Sequence, residues 1–254
     1  MILPDPITIL FISITSLIIS GIAFFKKVLD QGGSALAFLI CFITGALGHW
    51  TWLLLMLIFV GSSFLATKFA IVYKKALGVE ESDEGTRGGS NVISNGIVPA
   101  IVAVCYSLNL LSPEQALVAF TTSIGAATAD TMASEIGVLS PSPVLITNPR
   151  KVVEPGVDGG ISFEGLTASF LSAVSISMVA YAGFLVLIEE NHAFYSSIEL
   201  KYLFISVFFG FFGSVLDSFL GATLQNRGFL SNNGVNLSSI SISVLLSLLI
   251  LNIF

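Results

Sequence analysis

Charge is what this 254-residue sequence has least of: Lys, Arg, Asp and Glu make up 10% of it, against about 25% in an ordinary soluble domain. With 54% hydrophobic residues and a mean hydropathy of +0.94, that shortage excludes a water-soluble globular protein. Positive charge is scarcer still. A net charge of -6 excludes a binder of phosphate backbones, which needs a basic face, so no nucleic acid partner is expected. Cys41 and Cys105 both lie inside apolar runs, so neither a disulfide framework nor a thiolate metal site can be built from them. The two histidines, His49 and His192, fall in turns between apolar runs, which leaves no imidazole for a nucleophile-histidine arrangement. A Walker-type glycine motif is missing as well.

Long apolar runs are what the sequence has in abundance. Residues 7–25, 34–48, 50–68, 91–111, 115–137, 165–188, 201–222 and 236–254 carry few charges, and a helix of about 20 such residues crosses the roughly 30 Å hydrocarbon core. The expected fold is all-α, a polytopic transmembrane helical bundle of about eight helices, forming one integral membrane domain over residues 1–254. Gly48-His49-Trp50 is a very tight connection, so a hairpin or one broken helix, giving seven spans, is the alternative. The first run lacks a basic segment before it and a small-residue cleavage site, and reads as a retained helix.

Orientation follows from the basic residues, because Lys and Arg accumulate in cytoplasmic loops. With both termini on the outer side, Lys26, Lys27, Lys68, Lys74, Lys75, Arg87, Arg150, Lys151 and Arg227 all fall inside, and only Lys201 faces out. Merging the second and third runs would put the first basic loop opposite the others, so the asymmetry also favours eight. Two loops on the inner side stand out. Residues 73–90 form a hydrophilic loop whose acidic run, Glu80, Glu81, Asp83 and Glu84, reads as a solvated face. Residues 138–164 hold four of the eight prolines and make a loop too long for a mere connector, which is read as an active-site loop.

Acids inside the spans collect at the same depth. Asp130 and Glu135 lie in the last third of the fifth run and Asp217 near the inner end of the seventh. A carboxylate at the centre of a lipid-facing helix costs about 2.5 to 3.5 kcal/mol, so three of them should face one wet or ion-filled cavity. Arg87, Asn91 and Asn95 recur every four residues and share a helical stripe; Asp130 and Ser134 form a similar i, i+4 pair. Gln225, Asn226, Arg227, Asn232, Asn233 and Asn236 surround the last inner turn. Gly210, Gly213, Asp217 and Gly221 occupy nearly one helix face, which allows close packing within the monomer or a homodimer.

Carboxylates, amides and isolated basic residues without a catalytic imidazole suit oxygen-ligated Mg²⁺ and phosphate. Mg²⁺ takes one or two carboxylates plus substrate phosphates and waters, and Asp130, Glu135 and Asp217 are the candidate ligands. Arg150, Lys151 and Arg227 would neutralise phosphate oxygens. Phosphoryl transfer depends mainly on positioning and charge stabilisation, and a phosphate monoester acceptor is already anionic, so a missing general base is no obstacle. The plainer readings are helix packing through polar pairs for Asp130 and Asp217, solvation for Glu135, helix capping for Asn91 and Asn95, and positive-inside anchoring for the basic residues.

The segments Asp130-Thr131 with the following ASEIG, PVLITNPRKVVEPGVDGGISFEG over 143–165, and GSVLDSFLGATLQ over 213–225 with the Asn-rich turn resemble one known group. Over residues 85 to 240 the chain is similar to the integral-membrane family that includes plant phytyl-phosphate kinase and human transmembrane protein nineteen. More distantly it is similar to the CTP-using dolichol kinase and CDP-diacylglycerol synthase group. Gly156-Val157 stands where that pattern has Gly-Thr, and no His-Gly-Gly-x-x-Asp-Arg element surrounds Asp217. The resemblance implies a membrane kinase that converts a phytyl- or geranylgeranyl-type prenyl monophosphate to the diphosphate, with a nucleoside triphosphate, CTP before ATP, as donor.

Combining both lines, Asp130, Glu135 and Asp217 are expected to organise Mg²⁺ and triphosphate. Asn91, Asn95 and Asn226 would bind phosphate or metal-bound water, and Arg150, Lys151, Arg227 and Arg87 would stabilise transferred charge. Ser134 and Ser162 would line the nucleotide site, and the Gly159-Gly160-Ile161-Ser162 stretch would offer backbone N–H groups to phosphates. Two other functions fit the same residues. One is a CTP-dependent cytidylyltransferase making a CDP-activated lipid; the other is a secondary transporter with carboxylate coupling sites, although no internal repeat is evident.

Overall fold

The computed structural model describes residues 4–78, 86–190 and 199–253. The acidic run at 80–84 and His192 therefore lie outside the described residues. Among the described residues, eight long helices correspond one to one with the eight apolar runs: α1 (Pro6–Phe25), α2 (Gln31–Ile43), α3 (Trp52–Lys68), α5 (Gly89–Ser107), α6 (Pro113–Gly137), α7 (Phe163–Glu190), α8 (Leu200–Leu220) and α9 (Asn232–Leu251). Between α3 and α5 lies one short helix, α4 (Ile71–Leu77), inside what the sequence suggests is an open loop.

Three helices, α2, α6 and α9, begin earlier than hydrophobicity suggests, and each starts at a side-chain cap. Asp30 accepts from the Gly33 N–H at 2.6 Å and starts α2 in polar sequence, and Ser231 accepts from Gly234 at 3.2 Å to start α9. Ser112 and Gln115 form a reciprocal capping box at α6, with Pro113 in the first turn. Such caps satisfy backbone donors that a helix end leaves free. The tight second connection resolves as two helices: α2 ends in a π-helical turn, Thr44–Gly48, before α3 begins. Gly48 is needed there, because a Cβ on it would lie 2.3 Å from the Trp52 ring, which itself stacks on Phe120 with centroids 4.1 Å apart.

Six of the long helices are long and apolar enough to cross a membrane; α3 is a shorter apolar helix. The exception is α6, and its position explains why. It packs on α3, α5, α7, α8 and α9, and every residue from Ala116 to Ala129 is buried. A helix enclosed by protein needs small side chains that let neighbours approach, and Ala, Gly, Ser and Thr supply them. A Cβ on Gly213 would lie 2.5 Å from the Ala126 Cβ, and one on Gly210 would lie 3.4 Å from Gly125. Those glycines of α8 are thus used inside the monomer, against α6. By contrast, the outer surface is apolar: Leu17 is 63% exposed and Phe208 61%.

The 138–164 segment is also more ordered than a loop. Its strands β1 (Val144–Leu145), β2 (Asn148–Val152) and β3 (Gly160–Ile161) form a small antiparallel sheet in the order β2-β1-β3. Val144 pairs with both Val152 and Ile161. The expected all-α bundle is therefore present, with one short sheet added at its end.

Candidate active site

The start of α5, the end of α6, the start of α7, the end of α8 and the start of α9 meet the sheet segment around one polar cavity of about 530 Å³. Arg87, Asn91, Asn95, Asp130, Ser134, Glu135, Gly159, Gly160, Ser162 and Asp217 all line it. Thr131, Asp158, Ser214, Ser218, Gln225, Asn232 and Asn236 also contribute to its wall.

Asp130 of α6 and Asp217 of α8 have their carboxyl groups in hydrogen-bonding contact. Asp217 is oriented from α9: Ser239 Oγ donates to Asp217 Oδ2 at 3.0 Å, and Asn236, with its amide nitrogen turned inward, donates to the same oxygen at 3.1 Å and to the Asn232 carbonyl at 3.1 Å. Just beyond Asp217, α8 ends in a second π-helical turn, Gly221–Gln225, a feature that frequently accompanies functional sites. This turn takes the sheet segment against it. Gly159 has φ +78°, and a Cβ there would lie 2.3 Å from the Ala222 Cβ. Only glycine satisfies both the left-handed backbone and the close approach. Asp158, beside it at the rim, has its carboxyl pushed above the ordinary range by partial desolvation, against which a Gln225 hydrogen bond acts.

Glu135 is committed elsewhere, which corrects its expected place as a third metal ligand. Lys74 Nζ lies 2.6 Å from Glu135 Oε2, Arg87 Nη2 lies 3.6 Å from Oε1, and the Thr67 hydroxyl donates to Oε1. The Lys74 side chain is 1% exposed and also donates to the Ala66 carbonyl at 2.9 Å, which it shares with the Phe69 N–H at the end of α3. Lys74 is carried on α4, which begins directly after Ala70 with its positive φ of 53°. Two cations and a hydroxyl close both oxygens of Glu135. Among the described residues no group of three Asp, Glu, His or Cys side chains could share a metal ion.

The remaining pair still fits a divalent cation. Two carboxyl groups in contact repel when both are ionised, so they must share a proton or a cation. Mg²⁺ is ordinarily held by one or two carboxylates, with waters and phosphates completing its shell. Asp130 and Asp217 could hold it, and the Ser239 and Asn236 bonds would orient the ligand as partners beyond a metal's own ligands commonly do.

Other expected residues have different surroundings. Arg150 and Lys151 lie on β2, whose residues are all exposed, and do not line the cavity. Asn226 and Arg227 sit in the exposed turn after α8, and Asn226 Nδ2 donates to the Asp158 carbonyl at 3.3 Å. Ser162 accepts from the Gly165 N–H at 3.1 Å, which caps α7, and its hydroxyl reaches the Gly137 carbonyl at 3.4 Å. The Gly160 N–H is bonded to the Val157 carbonyl at 2.9 Å, so it closes a turn and does not point free into the cavity. Asn95 Nδ2 donates to the Asn91 carbonyl at 3.0 Å, and Ser134 Oγ to the Thr131 carbonyl at 3.0 Å.

The model of integral membrane protein family DUF92 matches residues 14–244. The chain belongs to this family. Over 247 residues it is 31% identical to an uncharacterised membrane protein of Methanocaldococcus jannaschii, covering 95% of this chain and 94% of that one. Protein PGR of Arabidopsis thaliana is 30% identical over 239 residues, 88% of this chain and 81% of the relative. Protein VTE6, chloroplastic, from the same plant is 28% identical over 228 residues, 87% of this chain and 65% of the relative. No solved structure matches. This DUF92 protein is accordingly a multi-pass integral membrane protein.

Proposed function

We propose that this DUF92 protein is a membrane prenyl-phosphate kinase, transferring the γ-phosphoryl group of a nucleoside triphosphate, CTP in preference to ATP, to a phytyl- or geranylgeranyl-type monophosphate. The observation that carries this reading is the facing Asp130–Asp217 pair in a cavity that is also lined by Arg87 and four asparagines. Polyphosphate and a divalent cation need that combination. The acceptor and the donor base rest on the resemblance to the phytyl-phosphate kinase family. Mg²⁺, when bound by Asp130 and Asp217, would supply the positive charge that a triphosphate needs. The concentration of basic residues at this end of the bundle supports a cytoplasmic opening, where nucleotide is available.

The reaction balances without a general base. An oxygen of the acceptor monophosphate, already anionic, attacks the γ-phosphorus; the bond from that phosphorus to the β-bridging oxygen breaks, and the nucleoside diphosphate leaves with its negative charge. No proton has to move. The chain's own tasks are to hold both phosphates in line and to exclude water. Arg87, Asn91 and Asn95 stand on one side of the chamber for the acceptor, while Asp158 and the Gly159 turn frame the other.

Incubating the purified protein in lipid nanodiscs with a prenyl monophosphate and either α- or γ-labelled CTP tests this directly. Appearance of the γ label alone in prenyl diphosphate is the expected result. Transfer of the α label would indicate a cytidylyltransferase, and counterflow in proteoliposomes without nucleotide consumption would indicate a carrier; either would overturn the kinase reading.

A further inference from the structure

A second, apolar crevice adjoins the polar cavity. Its volume is about 50 Å³, and Ala37 and Cys41 of α2, Met56 and Val60 of α3 and Val92 of α5 form its walls. At its polar end stand Arg87, Asn91 and Asn95, which line both spaces. The helix packing accounts for the gap: α2 packs on α1 and α5, whereas α3 packs on α6 and not closely on α2 or α5. Small residues keep it open. A Cβ on Gly96 would lie 2.6 Å from Ile40 Cδ1, so α5 and α2 are already at closest approach behind the crevice.

We propose that the phosphate-proximal end of the acceptor's isoprenoid tail enters this α2/α3/α5 crevice, with its phosphate at Arg87, Asn91 and Asn95, and that the residues of the crevice set tail selectivity. This assignment rests on the kinase reading and adds to it a division of the site: lipid phosphate on the α5 wall, nucleotide triphosphate on the Asp130–Asp217 wall. The chemistry of the junction selects the occupant. A guanidinium and two amides are complementary to a phosphate, and a narrow crevice of Cys, Met, Val and Ala side chains beside them is complementary to a linear hydrocarbon, not to a sugar or a base. A molecule that satisfies both has an anionic head on an apolar chain. The residues of the crevice lie in membrane-crossing α2 and α5 and in apolar α3, so a tail can enter from lipid without crossing water.

Two measurements test this. In the first, geranylgeranyl monophosphate carrying a diazirine on its first or second isoprene unit is photolysed with the wild-type protein in nanodiscs, and the labelled peptides are mapped. Labels within residues 37–41 and 56–63 are expected; labels confined to α7, α8 or α9 would overturn the assignment. In the second, Cys41→Phe fills the crevice, and the milder Val60→Leu narrows it should the first variant not fold. The KM for the 20-carbon acceptor should rise by about tenfold or more, as small changes of an apolar pocket do, while the nucleotide KM stays within about twofold. Equal rises in both, or no rise in either, would overturn it. Wild-type protein that is labelled in the crevice yet transfers no phosphate would sink the kinase reading and leave a prenyl-phosphate site; turnover with labels elsewhere would sink the crevice alone.

Discussion

Glu135 and Asp130 lie five residues apart near the end of the same helix, yet the protein treats the two walls of its cavity in opposite ways. On the α3/α4 side, Glu135 is closed by Lys74, Arg87 and Thr67, with Lys74 Nζ at 2.6 Å. On the α8/α9 side, Asp130 meets another acid, Asp217, and the neighbours that reach Asp217 are the neutral Ser239 and Asn236. The protein supplies its own cations to one carboxylate and brings the other two acids together. An ion pair of the first kind fixes structure, because each charge left alone would be severely desolvated. A pair of the second kind is where the proposed divalent cation would sit.

Substitutions on the two walls should separate these roles. The largest effect is expected from Asp130→Asn and Asp217→Asn, each lowering turnover by about a thousandfold without loss of monodispersity or melting temperature; near-normal rates for both would remove the contrast. Lys74→Met should act through stability, costing about 3 to 5 kcal/mol because it strands a buried carboxylate. A thermal melt in nanodiscs would record it, and pairing Lys74→Met with Glu135→Gln should recover much of the loss. Asn236→Ala should weaken divalent-cation affinity by about tenfold to a hundredfold, as removal of a group that orients a ligand does, seen in the metal dependence of turnover. The smallest effect is expected at β2: Arg150→Ala with Lys151→Ala, both exposed and outside the cavity lining, should change activity by no more than about twofold. A hundredfold loss there would show that the sheet closes over the site in turnover.

Most of the helical architecture was legible because a bilayer demands long apolar runs, and eight of them were present. The facing acids and the Arg87-Asn91-Asn95 stripe were legible for the related reason that polar groups inside a span need a shared cavity. Lys74 was not. It is one of nine basic residues at that end of the bundle, and nothing in its neighbourhood distinguishes a buried partner from a surface anchor. The helix that carries it, α4, begins directly after a left-handed Ala70, where sequence reasoning looks for glycine or asparagine. That hidden pairing is also why three acids were read as one metal site. Arg150, Lys151, Asn226 and Arg227 were drawn into the expected site by nearness along the chain, whereas strand pairing and an exposed turn carry their side chains outside the cavity lining. Helix caps were under-read for a similar reason: Asp30 and Ser231 extend α2 and α9 into polar sequence that hydrophobicity assigns to loops.

Binding of Mn²⁺, a spectroscopic stand-in for Mg²⁺, measured by electron paramagnetic resonance in nanodiscs with a non-hydrolysable CTP analogue, tests the Asp130–Asp217 pair most directly. The wild type should bind one ion in a nucleotide-dependent manner, Asp217→Asn should lose it, and the double variant Lys74→Met, Glu135→Gln should keep it. Equal Mn²⁺ binding by the wild type and Asp217→Asn, or its loss in the Lys74 and Glu135 double variant alone, would contradict the account.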